Sequence, residues 1–431
     1  MNTEEIKKII VDQKEEIEGI FKKEKIVKRE IPQKELLKVL SHPNILVISG
    51  IRRGGKSITS LMLLRNKPYG YINFDDERLA GFEGRELNKI LEVFYELYGK
   101  DLEFFIFDEI QNVSNWELFI NRLRRTKKII LTGSNANLLS GELSTHLTGR
   151  YIDFTLYPFS FGEFLKIKDV VLKKEDFYST KSIAQIKNFL NDYLSLGGFP
   201  EVHKFGRAII MKIYSDIINK DILFRYKIKH KTAFKELAKY LVSNFGREIG
   251  FNKLKNGFSI KNVHTVKNYI DYLGTTYLVF LVEKFSFKLK QQTISPKKVY
   301  CIDTGIINSI AFQFSENKGR LIENIVALEL CRRKSYLNRN TEIYYWKDYS
   351  GREVDFVLKE GREVKSLFQV CYDTENLQVK GRELRSLIEA SKELNCDDLL
   401  IITWDEEKEE EYQGKRVKFL PLWKWLHLIP P

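Results

Sequence analysis

Gly50-Ile51-Arg52-Arg53-Gly54-Gly55-Lys56-Ser57 has the order G-x-x-x-x-G-K-[ST], a phosphate-binding loop. A polyphosphate must meet several backbone N–H groups at close range, which residues without side chains permit; Gly50, Gly54 and Gly55 supply them. Lys56 is placed for the β- and γ-phosphates and Ser57 for Mg²⁺, while Arg52, Arg53 and Ile58 complete the nucleotide-facing turn. A helix starting near Lys56 would aim its positive dipole end at the anion.

A second cluster ends the apolar run Leu102 to Gln111, LEFFIFDEIQ. In a phosphate-loop enzyme Asp108 would hold Mg²⁺ through its waters, and Glu109 would orient the attacking water. The run Lys128 to Leu131 leaves through Thr132-Gly133-Ser134-Asn135, where Ser134 or Asn135 is placed to sense the γ-phosphate.

A third set lies near the carboxyl end of the chain. Asp355, Glu363 and Lys365 stand in the order D…E-x-K, with Glu323 in a preceding helix and Gln369 after the lysine. Strand alternation puts Glu363 and Lys365 on one face, and a turn at Lys359-Glu360-Gly361 is expected to bring Asp355 beside them. Two carboxylates can hold Mg²⁺ or Mn²⁺, and a lysine can steady a hydroxide or a scissile phosphate. Glu323, Asp355 and Glu363 are the expected metal ligands and Lys365 the catalytic cation of such a nuclease centre. The competing reading is charge pairing on an exposed hairpin.

These residues need scaffolds. Buried strands alternating with helices through Leu156 predict an α/β domain with a three-layer parallel sheet, preceded by an amphipathic helix over 3–24. From Tyr157 the pattern turns helical and suggests a lid. Helices over 234–245, 251–258 and 262–273 come next. Strands over 277–287 and 297–302, joined by the polar loop KLKQQTISP, complete the outline of a winged helix. Its third helix would show Lys261, His264, Thr265, Lys267 and Asn268, and its wing Lys288, Lys290, Lys297 and Lys298. Helix, three strands, helix and strand make the last block, with the acidic run Asp405 to Glu411 as a solvated loop. The expected divisions are 1–157, 158–229, 230–305 and 306–431.

The net charge is +13, and His203 to Tyr300 alone holds 20 Lys and Arg against 6 Asp and Glu, an excess of 14. A basic excess confined to one segment suits a phosphate backbone and makes DNA the expected partner. Cys301, Cys331, Cys371 and Cys396 show no C-x-x-C spacing, which speaks against a zinc site or disulfide framework and for a reducing compartment. No apolar run reaches the length needed to span a bilayer, so a cytoplasmic location is expected and a transport ATPase is not.

The stretches GIRRGGKS, FDEIQ, LTGSNANLL, LTGR, YPFSFGEF, YLSLGGFPEV, KVYCIDTGI, LIENIVALEL, YYWKD and GREVDFVL occur in that order. Together they resemble a family of archaeal and bacterial AAA+ ATPases that carry a winged-helix segment and a C-terminal PD-(D/E)XK nuclease-like domain. The resemblance implies ATP as the nucleotide, Asp108 and Glu109 as the Walker B acids, and a sensor in the GSN turn. It implies homo-oligomers with ATP sites shared between subunits, and Arg150 as an arginine finger acting on a neighbour. The leading expectation is a Mg-dependent ATPase acting on DNA, with branched or junction DNA among the substrates and a metal-dependent nuclease centre. The alternative is a nucleotide-controlled switch for a protein or RNA partner, its nuclease-like domain inactive.

Overall fold

In the computed structural model, which describes residues 1–135, 147–311 and 317–427, the strand Ile45–Ser49 (β1) is buried along its whole length. So is Phe104–Asp108 (β3), and continuous apolar runs of this kind belong to strands covered on both faces. With Tyr69–Asn73 (β2), Lys128–Gly133 (β4) and Tyr151–Thr155 (β5) they form one parallel sheet in the order β2-β3-β4-β1-β5. Because every pair is parallel, the carboxyl ends of β1 to β4 share one edge, where an open α/β sheet binds its ligands. The register fixes this directly, with Ser49 opposite Gly133 and Asp108 opposite both Asn73 and Thr132.

Among the described residues five α-helices accompany the sheet: Thr3–Lys23 (α1), Gln33–Val39 (α2), Lys56–Leu63 (α3), Leu87–Tyr98 (α4) and Trp116–Leu123 (α5). Helix α1 starts with a capping box between Asn2 and Glu5 and buries Ile6, Ile9 and Ile10 in the core that also holds Phe94, Phe105, Phe107 and Phe119. Its Gln13 is buried and spans to the site edge, donating to the Asn73 carbonyl at 3.1 Å and accepting from the Asn73 amide at 2.9 Å. This compact unit is Met1–Tyr157; Pro158–Pro431 is a second.

The second unit holds a sheet of nine strands. They are Arg247–Ile249 (β6), Val279–Lys284 (β7), Lys297–Cys301 (β8), Thr341–Lys347 (β9), Glu353–Glu360 (β10), Glu363–Cys371 (β11), Leu399–Thr403 (β12), Lys408–Tyr412 (β13) and Lys415–Pro421 (β14). Their order is β13-β14-β12-β11-β10-β9-β7-β8-β6. Helices Lys231–Ser243, Phe251–Gly257 and Val263–Thr275 precede the β7–β8 hairpin, and β6, between the first two helices, pairs with β8. The hairpin continues into the last block because β7 lies parallel to β9, through Glu283 opposite Tyr344 and Lys284 opposite Tyr345. The segments expected as lid, winged helix and nuclease-like domain all lie within this one unit.

Three local expectations change. The KLKQQTISP loop carries the short helix Leu289–Ile294. The acidic run is not a free loop: Lys408–Tyr412 is an edge strand in which Glu409 faces Lys418 and Glu411 faces Arg416 on β14, so opposite charges pair across the hairpin. The segment 217–224 winds as a π-helix continuing Ala208–Asp216.

Candidate functional sites

The loop between β1 and α3 is shaped by backbone that side chains would disturb. Gly50 has φ 145° and a Cβ there would lie 2.2 Å from the Leu156 carbonyl oxygen; Gly55, at φ 92°, begins α3 in the left-handed region. Arg53 is left-handed at φ 61° and Arg52 lies 3.8 Å from the Asp75 carboxylate. Lys56 is 5% exposed, donates to the Ile51 carbonyl at 3.1 Å and stands 3.9 Å from Glu109 Oε1. Ser57 is hydrogen-bonded to Asp108.

Asp108 ends β3, is buried, and accepts from the Tyr71 hydroxyl at 2.8 Å and from the Thr132 hydroxyl. Burial raises its pKa, the Glu109 charge adds to that, and the hydroxyls of Ser57, Thr132 and Tyr71 oppose it. Burial, and after it the same acid, hold the Tyr71 phenol well above its ordinary range. Glu109 adopts φ 52°, outside the helical and strand regions, which turns its carboxylate to accept from the Ser134 amide and hydroxyl, both at 3.3 Å, and from Gln111. Ser134 and Asn135 are both buried at the end of β4. The phosphate-loop lysine and serine, both acids and Ser134 therefore meet on one sheet edge. The sequence reading missed Tyr71 and Thr132; strand parity with Asp108 across the register was the available signal. The remainder of LTGSNANLL, after Asn135, lies outside the described residues.

Arg150 is elsewhere. It is exposed, donates to Asn121 Oδ1 at 3.0 Å, and its carbonyl accepts from the Ile45 amide at 3.0 Å, at the start of β1 and β5. Ile45 pairs with Tyr151 and Ser49 with Thr155, so Arg150 is at the opposite sheet edge from the loop that follows Ser49.

The D…E-x-K constellation is not assembled. Glu360 pairs with Glu363 and Phe356 with Phe368, which sets Asp355 beside Gln369 at the far end of the hairpin. Glu363 and Lys365 are exposed and bind each other, the charge pairing weighed as the competing reading. The turn lies at Gly361-Arg362, later than the expected Lys359-Glu360-Gly361, because Lys359 and Glu360 still pair in the ladder, and this tight register holds Asp355 away from Glu363 and Lys365.

Asp355 and Glu323 instead meet a lysine expected on the wing. Lys298 is 2% exposed and its Nζ lies 2.9 Å from Glu323 Oε1, 2.9 Å from Asp355 Oδ1 and 2.6 Å from Glu353 Oε1. Burial works against its charge, yet Asp355 and Glu323 outweigh burial and hold it above the ordinary lysine range. Burial pushes Glu323 up to about 7, against the pull of Lys298. Lys298 shares strand parity with Tyr300, but Val299 and Cys301 on the other parity are buried too, so alternation along this strand did not mark the lysine as inward. Other cations of the block point outward: Lys261, His264, Lys267, Lys288 and Lys290 are exposed, Thr265 and Asn268 half-buried, and Lys297 pairs with Glu283. With every side chain in place, no group of three or more His, Cys, Asp or Glu among the described residues could hold a metal ion, and no helix among them is long and apolar enough to cross a membrane. All four cysteines are free.

A family model described as an AAA domain matches residues 42–165. Two described as domains of unknown function, DUF8612 and DUF4143, match residues 187–317 and 318–425. The uncharacterized protein MJ1544 of Methanocaldococcus jannaschii is 37% identical over 429 residues, covering 94% of this chain and 92% of that protein. The chain belongs to the family of that protein. With the AAA domain and the phosphate-loop geometry, it is an AAA-type P-loop ATPase. An uncharacterized protein of Haemophilus influenzae is 28% identical over 376 residues, 82% of this chain and 90% of its own length. Among solved structures, the Walker-type ATPase PABY2304 of Pyrococcus abyssi matches at 15% identity with a TM-score of 0.42, over 66% of this chain and 96% of that one.

Proposed function

We propose that this ATPase turns over Mg-ATP at the carboxyl edge of the first sheet and uses the cycle to act on DNA. The observation that carries the reading is the convergence of Lys56, Ser57, Asp108, Glu109 and Ser134. The donor set fits the group: a hydroxyl and a carboxylate for a hard cation, and a loop where a Cβ on Gly54 would lie 3.1 Å from the Ile51 carbonyl oxygen. Ser57 and Asp108 would hold Mg²⁺, which neutralises phosphate charge when bound. Lys56 binds phosphate oxygens, and Glu109 orients the attacking water while Ser134 fixes its carboxylate. Arg150, remote from its own loop, suits a finger offered to a neighbouring subunit's nucleotide.

DNA contact is proposed for the helix–strand–helix–helix–hairpin block, whose order is that of a winged helix. Its support is the outward row Lys261, His264 and Lys267 with Lys288 and Lys290. Cleavage at an Asp355–Glu363–Lys365 centre forms no part of the proposal. The switch reading has one observation in its favour: Phe287, Leu289 and Ile294 are 75%, 76% and 71% exposed at the hairpin tip, which suits a protein partner better than phosphates. ATPase rates with duplex, single-stranded and four-way-junction DNA decide between them. Stimulation by one DNA form is expected; a flat response to all three moves the assignment to the switch.

A further inference from the structure

We propose that the Lys298 ammonium is a resident cation filling the place of a divalent metal in a three-carboxylate centre, and that removing it opens a divalent-cation site. The inference goes beyond the ATPase reading and stands whether or not DNA is the partner.

The three carboxylates come from separate elements: Glu323 from the helix Lys318–Tyr336, Glu353 and Asp355 from β10, with the lysine on β8. All three place an oxygen within 3 Å of one Nζ, at 2.9, 2.6 and 2.9 Å. These oxygens are held from behind. Asp355 Oδ2 accepts from the Val370 amide at 3.0 Å, Glu353 Oε2 lies 3.0 Å from Lys347, and Glu323 Oε1 also accepts from the Tyr300 hydroxyl at 2.7 Å. A set of charged oxygens fixed around one point is the donor chemistry that hard cations take, with metal–oxygen distances of about 2.1 to 2.6 Å. Exchange of ammonium for metal therefore asks each oxygen to move inward by roughly half an ångström.

The tethered amine has the advantage over a free ion. It is present at a fixed, high local concentration, and Lys298 is 2% exposed, so neither solvent nor a DNA phosphate reaches the point it occupies. The ammonium is the cation these carboxylate oxygens share, so removing it leaves a set of fixed acceptors that a divalent ion can take. The carboxylates thus tie the hairpin to the last block with no need of metal.

Mn²⁺ uptake by the full-length, nucleotide-free protein, read from the loss of the free-ion electron paramagnetic resonance signal, tests this. Wild type and Asp355→Asn should take up equal Mn²⁺, since any ion at the phosphate loop cancels in the comparison. Lys298→Ala should take up one further equivalent with at least tenfold tighter binding than wild type shows there, and lose it when combined with Asp355→Asn. Mn²⁺ should also restore part of the Tm that Lys298→Ala loses. Uptake by wild type that Asp355→Asn abolishes overturns the proposal, as does a folded Lys298→Ala without the extra equivalent. If Lys298→Ala does not fold, Lys298→Met, which keeps the length of the side chain without its charge, takes its place: an extra equivalent lost on adding Asp355→Asn upholds the proposal and its absence overturns it.

Discussion

Lys56 is held between the Ile51 carbonyl and Glu109, so in the nucleotide-free protein its ammonium already points along the loop that receives phosphate. Lys56→Ala is expected to lower ATP turnover at least 100-fold, measured as phosphate release; turnover near wild type would dismiss this site as the source of activity. Glu109→Gln keeps the size and hydrogen bonds of the side chain but removes its charge. It should retain ATP binding in a fluorescent-nucleotide titration while kcat falls by about 10² or more. This site was legible because eight consecutive residues carry most of its chemistry, and because Asp108 and Glu109 end an unmistakable buried strand. The Asp355 centre was not, because its members come from β8, β10 and a distant helix and depend on strand register. Counting seven residues between Asp355 and Glu363 gave no hint that Glu360 faces Glu363.

Several stretches that looked like motifs do their work between elements. Asp303 caps the helix Thr304–Ile310 through the Ile306 amide at 3.2 Å and also accepts from the Gly198 amide at 2.6 Å, joining CIDTGI to LGGFP. Thr304 and Asn308 donate to the Tyr193 and Leu194 carbonyls at 3.3 and 2.8 Å, and Arg332 reaches the Pro158 carbonyl at 3.1 Å. Burial pushes Asp303 up to about 7 even though three backbone amides favour its charged form. A carboxyl whose folded pKa lies above its unfolded value near 3.9 contributes stability that is full below pH 4 and fades as pH rises through about 7. Glu323, also raised to about 7, has the same sign. Tm should therefore fall between pH 5 and pH 8, and Asp303→Asn should flatten that slope; an unchanged slope would show that the carboxyl does not titrate in this window. Gly197→Ala should lower Tm by several degrees, because Gly197 has φ 77° and a Cβ there would lie 2.1 Å from Asp303 Oδ1. At this scale the buried strands were readable from their apolar runs, while β13 was hidden by its charge. Its one signal was Gln413-Gly414, both left-handed, closing a two-residue hairpin between Tyr412 and Lys415. Nothing in residues 217–224 announces a π-helix.

Across the whole molecule, the exposed cations of the basic segment and the placement of Arg150 bear on what the ATPase works with. If the exposed cations of the basic segment hold DNA phosphates, affinity should fall by about 10³ or more between 50 and 200 mM salt; a shallow dependence would show that phosphate contacts do not dominate. Arg150 bears on assembly. The length of β1 separates it from its own phosphate loop, a span of about 15 Å at roughly 3.3 Å per residue, and Arg124 stands near it with like charge. If Arg150 completes a nucleotide site, this placement puts that site on another copy of the chain. Arg150→Ala should then abolish most turnover while leaving ATP binding intact, as Lys56→Ala abolishes turnover by a different route. Co-expressed in one assembly, the two inactive variants should recover up to about a quarter of wild-type activity, because random pairing brings an intact loop against an intact arginine at that frequency. A mixed assembly as inactive as its parents would mean that Arg150 has no role across subunits.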